Sequence, residues 1–192
     1  MDMVVESFIR VPKAISGMGF GMEVKENTLS TDASNDVVSH AYSNQFLSMD
    51  DLEKIKMPVV RHDSAETARR MTLAEELFGG ILDIREEGAD PYLSVWDPVA
   101  TWMGVENVFL GFFDAPDLMH AIAERMVKGY LSMLDQLEEQ GLLCHPQSLI
   151  HCTGAWTDEL PGKDFDPLKP KTKDIWMFGL AQVFSSVSPA MF

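Results

Sequence analysis

Ser64-Ala65-Glu66-Thr67-Ala68-Arg69-Arg70-Met71-Thr72-Leu73-Ala74-Glu75-Glu76-Leu77-Phe78-Gly79-Gly80-Ile81-Leu82-Asp83-Ile84 reads as a helix, a stop and a strand. Ser64 can cap a helix, because its side-chain oxygen accepts a free N–H of the first turn. The helix is expected from about Ala65 to Phe78. Gly79-Gly80 ends it, since glycine accepts the left-handed backbone that closes a helix. The short apolar run Ile81 to Ile84 is then a strand. A helix that hands directly to such a strand is the alternation of an α/β fold.

The same grammar extends both ways. Upstream, Val4 to Ile9 is an apolar run bounded by Arg10 and Pro12, and reads as a buried strand. Downstream, Asp97 to Met103 reads as a short helix entered through Pro98 and ended near Gly104. Asp114-Ala115-Pro116 opens the strongest helix, in which Leu118, Ile122, Met126, Tyr130, Leu134 and Leu137 mark one face of a 3.6-residue period. With Gly141 as its cap, this helix runs roughly 35 Å. Asp135, Glu138 and Glu139 fall on its solvated face. Leu149-Ile150-His151-Cys152 is the third strand. The loop from Pro161 to Lys173 leads to a further helix, Asp174 to about Phe184. Residues 24–48 and 154–173 form excursions from one domain spanning 1–192. Short apolar strands alternating with amphipathic helices predict a parallel α/β sheet or barrel. Ser188-Pro189 then pairs a capping residue with proline at a first helical position. A helix opening at the last residues, Ala190-Met191-Phe192, is the expectation for a piece of a larger enzyme.

Composition narrows the function classes. The chain has 192 residues, 46% of them hydrophobic and 23% charged, enough to bury a core. Its net charge is −15, and no basic stripe is available to displace counterions from a nucleic acid. No run of eighteen apolar residues spans a membrane, and the first residues lack the basic and apolar regions of a signal peptide. Two cysteines, Cys144 and Cys152, make no disulfide framework and point to a reducing, cytoplasmic setting. The thirteen methionines are read as adaptable core filler.

Several residue groups have the types that carry chemistry. Gly17, Gly19 and Gly21 lack the lysine of a phosphate loop and the spacing of a dinucleotide fingerprint, and read as a flexible loop. Cys144-His145 and His151-Cys152 bring four metal-ligand types close together, in none of the usual zinc spacings. Neighbours on a strand face opposite ways, so one of His151 and Cys152 faces a pocket, or both are packed and satisfied. Asp158 and Glu159 follow that strand in a loop with Gly154 and Trp156. This is where ligand loops of parallel folds lie, although Asp158 is equally suited to cap a helix. Trp96 and Trp102 are placed to wall an apolar pocket with Asp97 as its polar group; the alternative makes both tryptophans core and Asp97 a cap. There is no Gly-x-Ser-x-Gly elbow and no His-Glu-x-x-His.

Taken in order, these segments resemble the uroporphyrinogen decarboxylase superfamily. Gly21-Met22-Glu23-Val24 is similar to the segment after that family's second barrel strand, and Trp96 to Glu106 to the segment after its third. Gln182-Val183-Phe184-Ser185-Ser186, followed by Val187-Ser188-Pro189, resembles the family's Gln-x-Phe-x-Ser and Ser/Gly-Pro. Residues 148–192 look closest to an uncharacterised, methyltransferase-like branch. The resemblance implies part of a (β/α)8 TIM barrel acting on a small-molecule substrate, with Ser186 keeping a substrate contact.

The departures are as informative. The family's arginine-rich substrate motif has no counterpart here, its catalytic aspartate falls near Ser7 beside Glu6, and its pocket tyrosine falls at about Thr101. A porphyrinogen with eight carboxylates would go unpaired without clustered arginines, so true decarboxylation is disfavoured. The resemblance therefore implies a methyltransferase relative linked to a thiol and to a corrinoid partner protein. The zinc ligands of those relatives, a His-x-Cys and a distant Cys, fall beyond Phe192, so no cofactor is expected within the chain itself. A partial barrel leaves strand edges open, which predicts a homo-oligomer or edge-paired dimer. The alternatives are a decarboxylase-type lyase and a non-catalytic binding or assembly module.

Overall fold

The computed structural model describes residues 7–30, 38–144, 149–150, 153–154, 159–180 and 188. In chain order its elements are β1 (Phe8–Pro12), β2 (Ile15–Ser16), β3 (Glu26–Leu29), β4 (Ser39–Tyr42), a 3-10 turn (Met49–Lys54), β5 (Arg61–His62) and α1 (Ser64–Phe78). There follow β6 (Asp83–Glu87), β7 (Tyr92–Leu93), α2 (Trp96–Met103), α3 (Val105–Asp114), α4 (Pro116–Glu139), β8 (Leu149–Ile150), β9 (Thr153–Gly154), a 3-10 turn (Thr172–Asp174) and β10 (Phe178–Gly179). The chain divides into two compact units. One comprises Met1–Met18, Val59–Tyr92 and Met133–Phe178; the other comprises Gly19–Pro58, Leu93–Ser132 and Gly179–Phe192.

The first unit is organised by parallel pairing. β1 and β6 run parallel, with Phe8 opposite Asp83 and Pro12 opposite Glu87. Helix α1 lies between them in the chain and packs on both, the form of a βαβ crossover. Beyond β6, Ala89 makes a parallel bridge to Leu143. The Ala89 N–H donates to Leu142 O at 2.6 Å, and the Cys144 N–H donates to Ala89 O at 2.9 Å. Among the described residues, β1, the β6–Ala89 stretch and Leu142–Cys144 thus neighbour one another in chain order, all parallel. Gly88 permits the last approach, because a Cβ there would stand 2.2 Å from Leu143 O. Gly17 does the same for the loop after β2: its φ is +76°, and a Cβ would meet Val59 O at 1.9 Å. Gly17 O also accepts the Val59 N–H at 2.9 Å.

The second unit is built on α2, α3 and the first turns of α4. Trp96, Val99, Trp102, Met103, Val108, Phe112, Met119, Ile122 and Met126 form its core with Phe20, Phe46 and Ile55. Phe20 packs edge-on to Tyr130 at 5.0 Å between ring centres, and Trp96 edge-on to Phe112 at 5.2 Å. The methionines Met103, Met119 and Met126 are core filler, as their flexibility suits.

Several sequence expectations are corrected. The first strand is Phe8–Pro12 and not Val4–Ile9, because pairing with β6 sets its limits; residues 1–6 lie outside the described ones. The second strand is Asp83–Glu87 and not Ile81–Ile84. The amides of Ile81 and Leu82 both donate to Phe78 O, so they continue the turn that ends α1. The cap of α1 is Asp63 and not Ser64: its carboxylate accepts the Glu66 N–H at 2.9 Å. Within 24–48, β3 and β4 form an antiparallel hairpin, secured across the strands by His40 and Glu26 at 2.7 Å. Helix α3 was not anticipated.

Leu149–Ile150 pairs antiparallel with Thr153–Gly154, and the described residue that bridges in parallel beyond β6 is Leu143; His151 and Cys152 lie outside the described residues. The helix expected from Asp174 is also absent over the described residues, which instead form a 3-10 turn and β10. Asp174 folds its carboxylate back onto the Lys171 N–H at 3.0 Å, and the backbone turns extended at Ile175, where the 3-10 turn ends. The helix expected after Ser188 lies outside the described residues. Among those described, strands pair two by two and no closed barrel is formed. No described helix is long and apolar enough to cross a membrane.

Candidate functional site

Parallel strands bring their carboxyl ends to one side, and in such folds that side collects ligands. Here the ends are Pro12-Lys13, Glu86-Glu87 and Leu143-Cys144, all in the first unit. Arg10 donates from Nη1 to Glu87 Oε2 at 3.0 Å. Lys13 donates from Nζ to Gly141 O at 3.0 Å and stands 3.3 Å from Glu86 Oε1. The guanidinium of Arg10 also lies 5.0 Å from the Phe8 ring centre, on whose face Arg85 stacks at 3.9 Å. Charged side chains thus make contacts both at this end, through Lys13 and Glu87, and toward the start of the strand pair, through Arg85 and Phe8.

Glu87 is the notable group. Its side chain is mostly covered, and while Oε2 is held by Arg10, Oε1 is buried with no hydrogen-bond donor among the described residues. A covered carboxylate oxygen without a partner is uncommon and costs free energy. It leaves an acceptor ready for an incoming N–H, O–H or S–H. Cys144 is buried close by in the sequence of strand ends, and its thiol is pushed up to about 12, first by burial and then by the charges of Asp90 and Glu87. It is held as a neutral thiol, so it is neither a nucleophile nor a ready thiolate ligand at neutral pH.

The sequence-predicted site residues fare differently. Trp96 and Trp102 are 3% and 5% exposed and belong to the core of the second unit. Trp102 faces Phe20 and Phe46 at 6.3 and 6.4 Å between ring centres. Asp97 is half-buried in the first turn of α2, and its N–H donates to Ser94 Oγ at 3.3 Å. Ser94, one residue before the N-cap Val95, thus satisfies an N–H of the first turn and itself donates to Leu180 O. The two tryptophans share one core. His151, Cys152, Asp158 and Ser186 lie outside the described residues.

Surface hollows are also present among the described residues. One, of about 660 Å³ in the first unit, is lined by Asp135, Glu138, Glu139, Asp164, Lys169 and Lys171. The solvated face expected for Asp135, Glu138 and Glu139 is thus partly roofed by the 164–173 loop. The Thr172 N–H and hydroxyl both donate to Glu138 Oε2 at 2.8 Å, and these bonds hold its carboxyl below the usual range. Asp164 pairs with Lys173. Another hollow, of about 520 Å³ in the second unit, includes Gly21, Met22, Glu23, Gln45, Lys54 and Lys56. Both lysines of the 3-10 turn region are engaged, Lys54 by Asp51 at 2.6 Å and Lys56 by Glu53 O at 2.6 Å.

No family model, curated protein or solved structure matches this chain.

Arg10, Lys13 and Glu87 are the residues that sequence reading passed over. In the sequence Arg10 only bounds an apolar run, and Glu86-Glu87 falls beyond the strand expected over Ile81 to Ile84. The available signal was position: charged residues immediately following an apolar run, where a parallel strand ends.

Proposed function

We propose that the chain is part of a (β/α)8 barrel enzyme of the uroporphyrinogen decarboxylase type, methyltransferase-like, that works on a small molecule at the carboxyl ends of its parallel strands. The observation that carries the reading is the succession of β1, β6–Ala89 and Leu142–Cys144, parallel neighbours in chain order with helices in the connections. Barrels grow by adding each strand beside the previous one, whereas doubly wound sheets reverse. The order of the motifs around Gly21, Trp96 and Gln182 supports the same assignment.

Within this reading the Arg10–Glu87 pair is the polar anchor of the site. The guanidinium fixes one carboxylate oxygen and leaves Oε1 to accept a proton-bearing group of the substrate, such as a thiol. Zinc, which thiol-dependent relatives use, finds no donor set among the described residues. Among the described residues no three His, Cys, Asp or Glu side chains gather in a way that could hold a metal ion, and Cys144 is held protonated. No step is therefore assigned to a metal here. A corrinoid-bearing partner protein remains the proposed methyl source, and the cytoplasm the proposed setting. Open strand edges make a dimer or higher homo-oligomer the proposed assembly.

The decarboxylase alternative is weakened by charge. Arg10 is committed to Glu87, and a substrate with eight carboxylates requires several free cations. The test is incubation of the protein with methylcobalamin and a small thiol, following loss of the alkyl–cobalt absorbance and formation of the methyl thioether. Protein-dependent thioether, reduced in Glu87→Gln, is the expected result. Thioether no faster than the uncatalysed reaction, over a range of thiols, contradicts the methyltransferase reading.

A further inference from the structure

Arginine often grips a carboxylate with both arms, through two parallel N–H bonds to its two oxygens. Arg10 grips Glu87 with one: Nη1 reaches Oε2 at 3.0 Å, and Oε1 has no donor among the described residues. Glu87 is the last residue of β6, and its side chain keeps 15% exposure. The uncommitted oxygen therefore lies just under the surface, at the carboxyl end of a parallel strand. Side chains alternate along a strand, so Glu86 points to the other side, and Lys13 meets it there at 3.3 Å. The nearest lysine in the strand ends thus answers Glu86 and leaves Oε1 unanswered.

Charge decides which donor suits that oxygen. Asp90 follows Ala89, the residue that bridges to Leu143. The buried Cys144 thiol is raised first by burial, then by the charges of Asp90 and Glu87, and Arg10 offsets this only as the weakest influence. Negative charge is thus disfavoured where β6 and Leu142–Cys144 end. A substrate thiol brought there would stay protonated, and a neutral thiol is a poor nucleophile. An ammonium is stabilised by the same two carboxylates. A divalent metal ion would require several oxygens, and no such group gathers among the described residues.

We propose that the small molecule bound at the strand ends carries an ammonium group, which donates an N–H to Glu87 Oε1. The assignment rests on the strand-end site proposed above and narrows its proton-bearing group to a cationic amine. Arg10 acts through Glu87 as a positioning residue, because holding Oε2 fixes the direction in which Oε1 accepts. Asp90 adds its charge without taking the hydrogen bond.

Ligand-observed nuclear magnetic resonance with propylammonium, 1-propanol and propionate tests this, as one alkyl chain with different head groups. Propylammonium is expected to bind roughly tenfold more tightly than either, the scale of a hydrogen bond to a charged group. N,N,N-trimethylpropylammonium keeps the charge but has no N–H, and should bind as poorly as propanol. Glu87→Gln should lose the preference for propylammonium with circular dichroism unchanged, since its amide oxygen can still accept from Arg10. Asp90→Asn should weaken binding by about threefold, as a charge acting at longer range. Glu76→Gln, exposed on α1, should change nothing. Propanol or the trimethyl compound binding as well as propylammonium overturns the proposal, as do equal losses in Glu87→Gln and Glu76→Gln. If Glu87→Gln loses its circular dichroism, Asp90→Asn carries the test, and undiminished binding in it overturns the proposal. The methyl-transfer assay is read separately. Thioether formation without propylammonium binding removes the amine and keeps the methyltransferase; binding without thioether does the reverse.

Discussion

The two units solve the problem of stability in opposite ways. The unit on α2, α3 and the start of α4 buries a cluster of tryptophan, phenylalanine and methionine, and its polar groups serve mainly as caps and ties. The unit with the parallel strands has a thinner apolar interior, to which α1 contributes only Thr67 and Ala74. Its strands are fixed largely by backbone ladders and by charged contacts such as Arg10–Glu87 and Arg85 over Phe8. Residues that look functional by type, the tryptophans, are structural in the first case. Residues that look like solvated surface, Arg10 and Glu87, make the candidate site in the second.

The sharpest way to break that contrast is to cut each interior. Trp96→Ala should cost roughly 3–5 kcal/mol in urea unfolding, as for a buried tryptophan. Val11→Ala, in the strand unit, should cost about 1–2 kcal/mol for the methyl groups it removes. A Trp96→Ala loss no larger than that of Val11→Ala would return Trp96 to the role of a pocket wall. Next in size is Gly88→Ala, whose new methyl meets the Leu143 carbonyl at 2.2 Å. It should lower stability by about 1–3 kcal/mol, with the loss confined to the strand unit in peptide-resolved hydrogen exchange.

Ionisation gives smaller effects. The Cys144 thiol has a value of about 12 in the folded chain against an ordinary 9.0. Its contribution is complete below pH 9 and is lost as the pH rises toward 12, so Cys144→Ala should flatten the alkaline fall in melting temperature. An identical alkaline fall in that variant would show that Cys144 does not carry it. Smallest is Glu66, held down to about 2 first by its hydrogen bond from Arg69 and then by that from Arg70. Its contribution is present above pH 4.5 and fades as the pH falls toward 2. Since these side chains are exposed, solvent screens the pair. Glu66→Gln should therefore make only a slight change in the acid unfolding curve, and a large one would mean that α1 is more deeply packed.

What could be read from the sequence follows the same division. Helices α1, α2 and α4 were legible, because periodicity, Pro98, Pro116 and the glycines that stop them are local signals. The buried face of α4 followed, Ile122 and Met126 included. Strand β6, Asp83-Ile84-Arg85-Glu86-Glu87, carries almost no strand propensity and exists because β1 pairs with it. Helix α3 is apolar over so much of its circumference that no single stripe announces it. At the candidate site, Arg10 and Glu87 are 77 positions apart, and only the register of two strands brings them together. No local pattern encodes that.

The central claim is that Leu142–Cys144 takes its place beside β6 as the next parallel segment. Amide hydrogen exchange at Ala89 and Cys144 tests it most directly, since their N–H groups form the bridge to Leu142 O and Ala89 O. Both amides should be protected in the wild-type protein and lose protection together in Gly88→Ala while α1 keeps its own. Free exchange at both positions in the wild-type protein, with α1 protected, would contradict the claim and remove the succession of strands on which the barrel reading rests.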